Sequence, residues 1–213
     1  MVVNYKNIFG ITLLNSFYPL SKSLNEYLSN RMTFKQYKKG EFIVKKGDVC
    51  DRIHIIRKGL VISFYTFENK KISSWVGVDG QLGTSINSFF KREPSLENIE
   101  CLEDTFTESL SFDEIQYALT HYKDMLMLQL EVLKYYMLIS EVRAIMTKIP
   151  SASGRYEFYK QNYNPKIIER LPKKYLASLI NMRPETLSRI ILNGNSTKSN
   201  TKIDNYQLKQ HLI

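Results

Sequence analysis

The sequence predicts an α+β protein in which a block of short antiparallel strands, a long helix and a terminal helix-turn-helix follow one another. Three observations predict it: glycine-punctuated runs of β-branched and aromatic residues between about residues 31 and 111, an apolar repeat through 125–149, and the spacing of alanine, asparagine and leucine after Pro172. The 213 residues are 43% hydrophobic and 24% charged, too apolar for a disordered chain. No apolar run approaches the roughly 20 residues of a membrane-crossing helix, and the opening MVVNYKNIFGITLLNSFYPL lacks the basic start and small-residue cleavage site of a secretory signal. A cytoplasmic protein without a membrane partner is expected. Cys50 and Cys101 are too few for a four-thiolate iron–sulfur or zinc site and are expected to be structural thiols.

The expected strands are MTFKQY, EFIV, RIHII, LVISFYTF, KISSWVGV, ENIECL and TFTESL, each rich in residues that suit a pleated, half-buried surface. Gly40, Gly47 and Gly59 separate the first four and supply the positive φ that repeated antiparallel turns of a jelly roll require. Helices frame the block, a short one at residues 21–30 and a run over 113–149 that Pro150 stops.

Within that run Met125, Leu128, Val132, Tyr135, Ile139, Val142, Met146 and Ile149 alternate at spacings of three and four. A stripe of this kind asks for a partner helix, so Leu128, Val132, Tyr135, Ile139, Val142 and Met146 are expected to form a dimer interface. Leu126, Leu130, Leu133 and Met137 then face the strands of their own chain. A 3.6-residue period imitates a heptad over this length, which leaves the central helix of a monomeric core as the alternative.

Charge is uneven along the chain. Residues 1–142 hold 17 Lys+Arg against 17 Asp+Glu, whereas 143–213 hold 13 against 4, so the whole net charge of +9 is C-terminal. Such asymmetry fits a polyanion partner, with a basic surface kept for solubility as the alternative. After Pro150, Ser151 is a suitable N-cap for a helix that Pro165 ends. Counting from Lys173 in KKYLASLINMRPETLSRIILNG, Ala177 is fifth, Asn181 ninth and Leu187 fifteenth, with Leu176, Ile180, Met182 and Ile190 between them at core positions. A helix-turn-helix needs a small residue where its helices cross, a residue tolerant of left-handed geometry in its turn and a branched anchor on its second helix. The face from Arg183 through Glu185, Thr186, Ser188 and Arg189 carries groups able to read base edges in a major groove. Lys173, and Lys198 and Lys202 on a following hairpin wing, are candidate phosphate contacts.

With those residues in view, the chain resembles the Crp/Fnr family of bacterial transcription regulators over nearly its whole length. KGEFIVKKGD and IIRKGLV resemble the family's β-roll turns around Gly40, Gly47 and Gly59. RPETLSRI resembles its recognition helix, with Glu185 and Arg189 where the family contacts bases. The resemblance implies a cyclic-nucleotide-binding-like roll over 1–120, a dimerisation helix over 121–149 and a winged helix-turn-helix over 150–213. It also implies a homodimer on an inverted-repeat operator in double-stranded DNA, RNA polymerase as a partner, and no catalysis.

The family's nucleotide cassette has a different composition here. Cyclic-AMP-binding members place a carboxylate after a glycine and an arginine before a hydroxyl; in GQLGTSINSFFKREPSLENIE, Thr84 follows Gly83 and Pro94 precedes Ser95. A buried phosphate without a paired cation is strongly disfavoured, so cyclic AMP is not the expected effector, although Lys91 or Arg92 could substitute after a register shift and retain an atypical nucleotide pocket. No cofactor or metal is expected. If a pocket persists, Thr84, Ser85, Asn87, Ser95 and Tyr135 are its expected polar groups. A haem sensor would need His54 or His121 as an axial ligand, and lone histidines are more often structural. Two other readings stay open: a metal-holding jelly-roll enzyme, disfavoured because His54, His121 and His211 lie on three elements, and a dimer that regulates a protein partner through a ligand.

Overall fold

Short, glycine-bounded strands close two antiparallel sheets in the computed structural model, which describes residues 8–194. The expected wing with Lys198 and Lys202 lies outside the described residues. All seven expected strands form: β1 (Thr33–Tyr37), β2 (Phe42–Val44), β3 (Arg52–Lys58), β4 (Leu60–Phe67), β5 (Lys70–Val78), β7 (Asn98–Cys101) and β8 (Thr105–Ser111). The eighth, β6 (Leu82–Gly83), is two residues long and leaves no periodic signal. The sheet orders are β1-β8-β3-β6 and β2-β7-β4-β5. Ile55 and Ile56 of the first sheet share a buried cluster with Val61 and Ile99 of the second.

Gly59, between β3 and β4, has φ 136°, and a Cβ there would come within 2.8 Å of the Thr105 side chain, so only glycine fits. β4 and β5 pair from Leu60↔Val78 to Phe67↔Lys70 around Glu68 and Asn69, both at positive φ (46° and 62°). A two-residue turn with both positions left-handed matches the twist of its strands.

Helix α1 (Phe9–Phe17) was not expected, whereas α2 (Lys22–Arg31), capped by Ser21, was. A third helix, α3 (Ile86–Lys91), follows β6. The expected single run over 113–149 is two helices, α4 (Phe112–His121) and α5 (Lys123–Lys148), because Tyr122 is extended at φ −128° and ψ 116°. A capping box between Ser111 and Glu114 starts α4 and fixes where it leaves β8. Next come α6 (Ala152–Asn162), α7 (Pro165–Arg170), α8 (Lys173–Leu179) and α9 (Pro184–Gly194). Pro165 was expected to end a helix; it also opens α7, where its missing N–H is not needed and Asn164 caps the turn.

Burial along α5 within the single chain is the reverse of that expected. Leu128, Val142 and Met146, assigned to a dimer interface, are each 2% exposed inside their own chain, whereas Leu126 is 62% and Met137 67% exposed. Val132 packs on the core of the roll, Tyr135 meets Phe17 edge-on at 5.4 Å, and Ile139 faces an internal cavity. Both stripes carry the same three-and-four spacing, so the pattern cannot say which of them the roll covers.

The C-terminal helices share a second buried cluster with the roll. Leu60, Ile62, Phe64 and Val78 of β4 and β5 belong to it, together with Tyr159, Ile167, Leu176, Ala177 and Leu187. Arg170 of α7 reinforces the junction, pairing with Asp79 at 2.8 Å and Glu103 at 2.5 Å. Ser178 of α8 accepts a hydrogen bond from the Ser73 backbone at 3.0 Å.

Candidate nucleic-acid interface and internal cavity

The helix-turn-helix is built from local rules that all agree. Ala177 is fully buried where α8 meets α9, Asn181 takes φ 52°, and Leu187 anchors α9 with no exposed surface. The Met182 N–H donates to the Ala177 carbonyl at 2.9 Å and closes the turn. Arg155 of α6 holds the same turn from behind: Nε donates to the Ile180 carbonyl at 2.8 Å and Nη2 to that of Asn181 at 3.0 Å. Its Nη1 reaches the Ile149 and Pro150 carbonyls at 2.8 and 3.0 Å, tying the end of α5 to the turn.

Anchoring through Leu187 sets which residues of α9 face outward. Glu185 and Arg189, four apart, lie on the opposite side of the helix and are exposed, as are Arg183 and Lys173. Thr186 and Ser188 flank that face half-buried. Ile191, one turn after Leu187, packs on the buried cluster in place of the expected Ile190. Not all of the C-terminal charge faces outward. Arg155 and Arg170 bind their own chain, and the hydrogen bonds that Arg170 donates to Glu103 and Asp79 hold its guanidinium above its ordinary pKa.

At the cassette the polar groups close on one another. Thr84 Oγ1 lies 3.1 Å from the Arg52 carbonyl. Ser85 and Ser95, both 2% exposed, are bonded to each other at 2.9 Å, and Ser95 Oγ also meets the Glu97 carbonyl at 2.8 Å. Ser88 accepts from the Cys50 N–H at 2.8 Å and donates to the Glu93 carbonyl. The Arg92 guanidinium donates to the Cys50 carbonyl at 2.9 Å and lies 4.6 Å over the Phe112 ring.

A cavity of about 670 Å³ lies beside this cassette, bounded by the roll, α5 and the C-terminal helices. Of the five expected pocket residues it takes in Thr84 and Tyr135; Ser85 and Ser95 are buried elsewhere and Asn87 is exposed. The side chains that give the cavity its chemistry were not expected: Arg143 on α5, Trp75 and Gln81 from the roll, and Tyr159 and Tyr163 from α6 and its end. Their signal was hidden, because Arg143 is one of many C-terminal charges and the sequence does not say what Tyr159 and Tyr163 face.

His54 is buried in the first sheet with Nδ1 3.4 Å from Thr107 Oγ1, and burial lowers its pKa to about 3, so it is a neutral core group. Burial raises the Cys101 thiol to about 11, which leaves it protonated and unreactive. Among the described residues no cluster of three or more His, Cys, Asp or Glu side chains is placed to hold a metal ion.

No family model and no curated protein matches the chain. Solved structures do. The c-di-GMP-responsive global regulator CLP of Xanthomonas campestris matches at TM-score 0.64 and 12% identity, over 83% of this chain and 92% of that one. A CooA mutant from Carboxydothermus hydrogenoformans matches at 0.62 and 12%, over 83% and 79%. The Thermus thermophilus catabolite activator protein matches at 0.52 and 15%, over 85% and 86%. Likeness at these identities carries the fold, and the fold of this chain, a β-roll followed by a long helix and a terminal helix-turn-helix, is that of the Crp/Fnr family regulators.

Proposed function

We propose that the protein is a sequence-specific DNA-binding transcription regulator and not an enzyme. The observation that carries this reading is α9: Leu187 and Ala177 fix it from below, and Glu185 and Arg189 stand exposed on its outer face. Arginine bridges guanine O6 and N7, and glutamate accepts from a cytosine amine, so this pair suits a major groove. Residues 150–213 form the DNA-binding part, 1–120 the effector-binding-like part and 121–149 the dimerisation helix, with RNA polymerase as a further partner.

The active form is a homodimer, joined through the stripe of α5 that its own chain leaves uncovered. Leu126, Leu130, Leu133 and Met137 follow at spacings of four, three and four along that stripe and are exposed. Two copies paired along it would present two α9 helices about one helical turn, roughly 34 Å, apart, which calls for an inverted-repeat operator. Cyclic AMP is not the effector, because the cassette hydroxyls are bonded internally and Arg92 is engaged by Cys50 and Phe112. Selection of bound fragments from randomised DNA, followed by mobility shifts over a salt series, tests the whole reading. Recovery of an inverted repeat supports it; binding no tighter than to random duplex overturns it. Micromolar binding of cyclic AMP by calorimetry overturns the effector assignment alone.

A further inference from the structure

We infer that Arg155 is a positioning residue for DNA recognition: its guanidinium locks the turn of the helix-turn-helix to the end of α5 and so fixes the half-site spacing that a dimer accepts. This role rests on the reading of the protein as a dimeric regulator and names the residue that sets its spacing. Arg155 projects from the start of α6, where Ser151 accepts the Gly154 N–H on Oγ at 3.0 Å and the Arg155 N–H on its carbonyl at 3.0 Å. From there the planar guanidinium divides its donors between two elements. Nη1 serves the Ile149 and Pro150 carbonyls, whereas Nε and Nη2 serve those of Ile180 and Asn181, all within 3.0 Å. Ile149 caps α5, and Asn181 is the left-handed residue between α8 and α9. Among the described residues no backbone N–H bonds to any of these carbonyls, so Arg155 alone answers them.

Helix ends leave carbonyls without intrahelical partners, and a cation placed there also meets the negative end of the helix dipole. One fork that answers both the end of α5 and the turn before α9 makes the two move as a unit. Lysine, with a single flexible ammonium, cannot bridge both sides at once. Val142 and Met146 of α5 share a buried cluster with Leu176 and Leu187, but apolar contact is non-directional, and the hydrogen bonds of Arg155 are what fix the angle. Arg170 acts elsewhere, since its partners Asp79 and Glu103 belong to the roll. The consequence for DNA is geometric. Each base pair added between two half-sites turns one of them by about 35° around the duplex axis and shifts it by about 3.4 Å. A rigid link between α5 and the turn rejects such a change, whereas a loosened one tolerates it.

The test uses the purified full chain in competition mobility shifts with the inverted repeat recovered by selection, the same repeat with its centre shortened or lengthened by one or two base pairs, and a single half-site. The parent chain should bind the recovered repeat about tenfold tighter than the respaced ones, because only the correct spacing engages both α9 helices. Failure to recover a repeat, or equal binding at every spacing, overturns the dimeric reading and the role of Arg155 with it. Arg155→Met should lose about tenfold on the recovered repeat, keep half-site affinity within about twofold of the parent, and bind the respaced repeats nearly as well as the recovered one. Arg155→Lys, which keeps the charge and not the fork, should behave in the same way, and it decides the question should Arg155→Met fail to fold. A preference for spacing that survives in the variants overturns the role of Arg155 and leaves the dimeric reading standing. So does an equal loss on half-site and full repeat, which marks a phosphate contact or a collapsed turn.

Discussion

Helix α9 and the cassette are both short, polar stretches beside a turn, and they use their polar side chains in opposite ways. On α9 the apolar anchor Leu187 faces inward, and Glu185 and Arg189 are left to solvent. Around α3 the hydroxyls turn inward: Ser85 binds Ser95, Ser88 binds the Cys50 and Glu93 backbones, and Thr84 binds the Arg52 carbonyl. A hydroxyl whose hydrogen bonds are already made within the chain has little left with which to recognise a ligand. The difference shows that residue type alone does not mark a candidate site; a polar side chain must also be left to solvent, as Glu185 and Arg189 are and Ser85 and Ser95 are not.

The largest expected effect lies on the α9 side of this comparison. Leu187→Ala should lower stability by about 2–5 kcal/mol, since it empties a fully buried anchor, and chemical denaturation should show it. On the roll side, His54 should make stability fall as pH drops. Its folded pKa of about 3 lies below the ordinary 6.5, so between those values the unfolded chain takes up a proton that the folded chain refuses. That contribution is intact above pH 6.5 and is lost progressively toward pH 3, by an amount on the order of a few kcal/mol. Denaturation midpoints over this range should flatten in His54→Gln relative to the parent chain.

Binding measurements sharpen the contrast further. Arg189→Ala should lose about 1–3 kcal/mol on the operator and relax specificity at one base pair, with random DNA little affected; equal losses on both would remove Arg189 from base reading. Ser95→Ala should cost about 1–3 kcal/mol of stability through the buried groups it leaves unpaired, and leave operator affinity unchanged. The smallest effect is expected of Lys198→Ala, which should weaken all sequences alike and reduce the slope of binding against salt by about one unit.

Much of the architecture was legible before any coordinates. The seven strands, the glycine corners, Ser151 as a cap and the left-handed Asn181 each depend on a few neighbouring residues, so local rules suffice to place them. The outward-facing pair on α9 was legible for the same reason: spacing along one helix determines which residues lie opposite Leu187. Helix α1 and the break at Tyr122 were not legible, because α1 rests on packing against the roll and no glycine or proline near Tyr122 marks the break.

The chain alone therefore determined its turns, its strand block and the exposed face of α9, all set by interactions within a few residues. Tertiary structure decided which of two equivalent stripes of α5 is covered. It turned Arg155 and Arg170 inward to join the parts, and it gathered Arg143, Tyr159 and Tyr163 around one cavity. The physical reason is that burial and partnership depend on which distant surfaces meet, and periodicity along a sequence carries no record of that meeting.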